Sequence, residues 1–181
     1  MAVALADLAE NYQGGNAGSI TCTFSSPPAV GERIVMVVAI ENAPLTNPVW
    51  GTGITSEANL VYDPGFNRMY AYIGYGTGNG VQTQWMLDWD GNAFIPNAQA
   101  FSFSGAVADG SPILDLAQTN NGSFSGSVTY PAVTGATEGT YHLLVAATHG
   151  TPGGDETATG KTPLGYGSRM MSFGAVVDSD P

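Results

Sequence analysis

The chain is poor in the groups that carry most protein chemistry. In 181 residues it has one cysteine (Cys22), two histidines (His142 and His149) and 4 Lys and Arg together, with Lys161 the single lysine. One cysteine excludes an intrachain disulfide. Its alternation with Ile20 and Phe24 marks a buried apolar thiol, since a nucleophile would want a histidine and a cleft. The 4 basic residues face 15 acidic ones, for a net charge of −11. Such a surface repels a polyanion, so nucleic acid is not an expected partner, and the charge favours solubility and mutual repulsion. No apolar run approaches the roughly 20 residues that span a bilayer, so no membrane partner is expected. The opening Met1-Ala2-Val3-Ala4-Leu5-Ala6-Asp7 reaches Asp7 without a basic region, so no export signal is read and synthesis in the cytoplasm is expected.

Glycine (25) and proline (11) are plentiful, and charged residues make up only 10% of the chain. That balance favours strands and turns over long surface helices, and the length fits one domain, residues 1–181. An internal correspondence sharpens the expectation. Ser19-Ile20-Thr21 leads through Pro28-Ala29-Val30-Gly31 into Ile34-Val35-Met36-Val37-Val38-Ala39. Ser127-Val128-Thr129 leads through Pro131-Ala132-Val133 and Gly139 into Leu143-Leu144-Val145-Ala146-Ala147. Leu60-Val61-Tyr62 before Arg68-Met69-Tyr70 is echoed by Leu164-Gly165-Tyr166 before Arg169-Met170-Met171. The fold class expected is all-β: a two-sheet antiparallel β-sandwich, jelly-roll-like, with internally similar halves.

Along the chain, residues 1–17 read as an N-terminal arm or strand. Ile20, Cys22 and Phe24 alternate with Thr21, Thr23 and Ser25 as a half-buried strand does. The continuous apolar run from Glu32 to Glu41 reads as a core strand, central to the sandwich. Residues 43–55, with Pro44, Pro48, Gly51 and Gly53, read as loop, with Trp50 packed on a sheet edge. Met69, Ala71, Ile73 and Tyr75 alternate with Tyr70, Tyr72 and Gly74, and Gly76 to Gly80 reads as a turn into Val81 to Trp89, making a hairpin of these two strands. Further strands are expected at 99–107, 123–130, 140–148 and 169–177, with a long exposed loop at about 149–167.

No catalytic, metal or cofactor motif survives testing. Gly160-Lys161-Thr162 resembles the end of a phosphate-binding loop, but Asp155 stands where its first glycine is required. Asp88, Asp90 and Asn92 have calcium-loop spacing, yet Gly91 interrupts the ligand series and the closing Glu is missing. Gly122-Ser123-Phe124-Ser125-Gly126 puts Phe124 where a hydrolase elbow needs its serine. His142 and His149 read as structural or solvated. The one candidate binding set is aromatic: Tyr70 and Tyr72 with Trp85 and Trp89 on the following strand could stack sugars, although aromatic cross-strand sets more commonly serve a core or a subunit interface.

The order of these segments resembles a β-sandwich domain of tailed-bacteriophage virion proteins, found in head-decoration, minor tail and fibre-associated components. The likeness runs through Ser19 to Phe24, the Pro-Ala-Val-Gly-Glu turn at residues 28–32 into Ile34 to Ala39, and Trp50. It continues through Phe101-Ser102-Phe103-Ser104-Gly105-Ala106-Val107, Ser111-Pro112-Ile113, Pro131-Ala132-Val133 and Val145-Ala146-Ala147. The resemblance implies a non-enzymatic virion protein, homo-oligomeric, whose partners are the major capsid or tail proteins. The chain shows no fibre shaft of heptads, collagen repeats or β-helix turns, and no substantial tail-tube helix. The leading expectation is therefore a head-decoration or accessory capsid protein that clamps the shell through its arm and loops. The alternative is a minor tail or fibre-associated host-binding, glycan-binding protein.

Overall fold

The computed structural model describes residues 3–41, 43–62, 69–105, 141–147, 162–166 and 170–176. These residues are all-β. They form β1 (Ala4–Tyr12), β2 (Ala17–Thr23), β3 (Arg33–Glu41), β4 (Thr46–Trp50), β5 (Ile54–Tyr62), β6 (Met69–Thr77), β7 (Gln84–Ser104), β8 (Tyr141–Ala147), β9 (Thr162–Tyr166) and β10 (Met170–Val176). Every pairing is antiparallel. The expected strand at 123–130, the second copy of the Pro-Ala-Val turn and His149 lie outside the described residues.

The organising element is β7, 21 residues long. Its second half lies in a sheet of order β1-β7-β3-β6-β5, and its first half pairs with β2 and β4. The long strand belongs to both layers because it creases between them. Trp85, Leu87, Trp89 and Ala93, all odd-numbered, face the main core before the crease. After it the even-numbered Ala98 and Ala100 do. A pleated strand can change parity only if one residue leaves the β region. Ile95 does so, with φ +46°, a conformation that β-branched side chains rarely adopt. The partner side creases at the same level. β1 ends opposite Asn97 and β2 begins opposite Ala93, with residues 13–16 between them. A ribbon of β1 and β2 against β7 is thus folded over on itself.

The fold encloses a core. β3 contributes Ile34, Met36, Val38 and Ile40; β2 contributes Ile20 and Cys22, followed by Phe24; β6 contributes Tyr70 and Tyr72. The other face of β3 is buried as well. Val35, Val37 and Ala39 pack with Met69, Ile73, Phe101 and Phe103, and half-buried Leu143, Val145 and Leu164 of the β8-β10-β9 sheet cover them. Burial on two faces is why residues 33–41 carry no polar alternation.

Several expectations are corrected. β6 and β7 are not a hairpin, because β6 is already flanked by β3 and β5. The start of β7 lies across β6 in the opposite layer, and glycines make the room. A Cβ on Gly76 would meet Trp85 at 2.6 Å, and one on Gly74 would meet Ile54 at 2.7 Å and Trp50 at 2.9 Å. The strands expected at 81–89 and 99–107 are one strand. Residues 43–55 are not simply loop, since β4 forms there and half-buried Trp50 packs on the core. Of residues 1–17, read as an arm or strand, residues 4–12 are β1, which ends the order of the central sheet among the described residues. The end of the expected exposed loop, residues 162–166, is β9.

Candidate functional site

The aromatic set singled out from the sequence is in the core. Tyr70, Tyr72, Trp85 and Trp89 are at most 7% exposed, and all four belong to the cluster between the folded layers. Two of the four have hydrogen-bond partners within the protein. The Leu45 N–H donates to the Tyr72 hydroxyl at 2.7 Å, and burial pushes that phenol above its usual pKa. Trp89 Nε1 donates to the Ala17 carbonyl at 2.8 Å, whereas Trp85 Nε1 is buried without a partner. No ring face of this set is offered to a sugar. Cys22 is buried and free, and its thiol is pushed up to about 12, first by burial and then by the Glu10 charge. Such a thiol is inert at neutral pH. Among the described residues no group of three or more His, Cys, Asp or Glu could hold a metal ion. Asp88 and Asp90 lie on β7, where the Asn47 amide donates to Asp90 at 2.7 Å.

What the surface does present is a tip made by two loops. Residues 24–32, between β2 and β3, and residues 78–83, between β6 and β7, are joined by backbone hydrogen bonds. Phe24 N–H donates to Thr83 O at 3.0 Å, Gly31 N–H to Gly78 O at 3.0 Å, Gly78 N–H to Glu32 O at 2.8 Å and Gly80 N–H to Pro28 O at 3.0 Å. Each loop is also braced internally. Glu32 accepts from the Ala29 N–H at 2.9 Å and from the Ser102 hydroxyl at 2.7 Å through the same carboxylate oxygen. Asn79 Oδ1 accepts from the N–H groups of Val81 and Gln82, a side-chain-closed turn. The Gln82 amide in turn donates to Gln84 O and Thr52 O.

Local sequence explains this geometry. Pro27 and Pro28 end the strand and limit the conformations of the first loop. Gly31 and Gly80 take φ +89° and +74°, which side-chain-bearing residues rarely adopt. Gly78 is packed so closely that a Cβ would collide with the Ala29 carbonyl. On this braced base Val30 and Val81 stand out at 81% and 80% exposed. Two valines held in water by a rigid frame lose little conformational entropy on binding, the usual advantage of a preorganised contact. Both loops were legible as turns from their glycine and proline, but not their adjacency, which depends on β2 and β6 being brought to the same end of the sandwich. Comparison of the chain with protein-family models, with curated proteins and with solved structures finds no match in any of the three.

Proposed function

We propose that this protein is a non-enzymatic structural component of a tailed-phage virion, a head-decoration or accessory capsid protein that docks on the major shell protein. The observation that carries the reading is the braced tip with Val30 and Val81 exposed. It is a docking feature on a domain whose largest aromatics are spent on its core. The segment resemblance supplies the setting, and the acidic charge keeps free copies apart before they find a shell. Burying two valines contributes about 3–5 kcal/mol gross per copy. An accessory protein present in many copies adds such increments only to the assembled state, so the shell is stabilised by linkage. The glycan-binding alternative gains no support, because Tyr70, Tyr72, Trp85 and Trp89 are buried.

Two measurements test the reading. Quantitative mass spectrometry of purified virions should find copies in proportion to the major shell protein; a handful per particle would move the protein to the tail tip, and none would end the proposal. The double variant Val30→Asp, Val81→Asp should fold as the parent does and fail to bind shells that lack the protein. Undiminished binding would exclude the tip.

A further inference from the structure

We propose that β1 is an exchangeable strand, which straightens away from its own β7 at Gly14-Gly15 and completes the central sheet of a second copy of this chain. The inference stands apart from the virion reading and rests on how β1 is attached. β1 and β2 run in one direction along β7, on opposite sides of the crease, so only the bend at residues 13–16 returns β1 to its own sheet. That bend is weakly tied. A Cβ on Gly15 would meet nothing within 4 Å, one on Gly14 would meet only the Tyr12 ring, and the backbone bond across the crease is Gln13 N–H to Pro96 O at 3.0 Å. Gln13 adds one long side-chain bond, to Ser19 O at 3.5 Å. Two adjacent glycines accept the extended conformation as readily as the bent one.

The contacts of β1 itself involve elements that a second copy would supply unchanged. Ala4 to Tyr12 pair with residues 97–104 of β7, and Leu5 and Leu8 pack toward Phe101 and Phe103. The Asn11 amide donates to Thr21 O at 2.6 Å, the Ser25 hydroxyl to Asp7 at 3.0 Å and the Gln99 amide to Glu10. All of these can be remade between copies with the same geometry, and only the bend differs between the closed and exchanged forms. Closed and exchanged chains then differ by the bend and by the cost of association, the condition under which edge strands swap. The partner is a second copy because the side chains of β1 match this chain's own register on β7, including the shift between Leu5 and Asp7.

The test uses Ala4 and Ser104, which lie opposite each other at the far end of the pair. Differently tagged chains carrying Ala4→Cys and Ser104→Cys are unfolded, mixed and refolded together, then oxidised. Native Cys22 is buried and stays out of the reaction. Exchange sets the two new thiols at a millimolar effective concentration, so the mixed disulfide should exceed an Ala4→Cys with Val49→Cys control on the order of a hundredfold. A mixed disulfide at the control level overturns the proposal. So does the unmodified chain remaining monomeric in sedimentation after refolding at high concentration, a readout that needs no substitution and no phage particle.

Discussion

Substituting Gly76 by alanine puts the folded-over architecture to a direct test. Gly76 sits on β6 opposite Ile34 on one side and Ile54 on the other, so its backbone is held from both edges. A Cβ there would collide with the Gly53 carbonyl and meet Trp85 Cζ3 and Cη2 at 2.6 and 2.8 Å. Neither neighbour yields easily, since one is backbone and the other a buried ring. Overpacking of this kind costs about 1–3 kcal/mol, and the two-sided restraint puts Gly76→Ala at the upper end. The reduced freedom of the unfolded chain returns only about 0.4–1 kcal/mol. The expected net loss is about 2–3 kcal/mol, which for a chain of this length lowers Tm by roughly 4–12 °C. Urea unfolding followed by tryptophan fluorescence measures it. Gly15→Ala, with open space around its Cβ, is the control and should be neutral or slightly stabilising. Combining Gly76→Ala with Trp85→Phe removes the outer ring atoms and should recover at least about 0.5 kcal/mol as coupling. A Gly76→Ala protein within about 0.5 kcal/mol of the parent would refute the placement of Trp85 over β6.

The other predictions concern the same core. Trp89→Phe deletes a hydrogen bond and strands the Ala17 carbonyl, whereas Trp85→Phe removes an unpartnered N–H, so the first should be the more destabilising by about 1–2 kcal/mol in urea titrations. Equal losses would contradict the assigned partners. At alkaline pH the unfolded Cys22 thiol ionises from its ordinary value of 9.0, while the folded one holds its proton to about 12. The unfolded state therefore binds fewer protons in that window, and stability falls as pH rises through it, by up to about 4 kcal/mol. The raised Tyr72 phenol acts in the same direction from its ordinary value of 10.0 upward. Cys22→Ala should flatten the slope of the urea midpoint between pH 9 and 11, and an unchanged slope would mean that the thiol is not buried as described.

The all-β class, a central strand over residues 33–41 and the alternating strand through Cys22 were legible because they depend on local periodicity and composition. A run such as Ile34 to Ile40, with no polar position to face water, requires cover on both sides whatever the rest of the chain does. Which elements lie beside one another was another matter. Tyr70, Tyr72, Gly74 and Gly76 share one face of β6, and the sequence shows an aromatic row passing into glycines without saying what fills the space above them. Only the crossing of β7 and of β4 paired to it answers that, with Trp85 seated over Gly76 and Trp50 over Gly74. For the same reason the candidate binding aromatics could not be told from core aromatics, since a pleated face has the same period whether it meets water or another layer. The crease in β7 was hidden because Ile95 is an ordinary strand former, and its φ of +46° is a conformation that β-branched residues rarely adopt. Local residue chemistry determined what each segment could become. Long-range packing decided which faces were buried, that the loops carrying Val30 and Val81 are joined, and that β1 ends the central sheet among the described residues, held across a glycine bend.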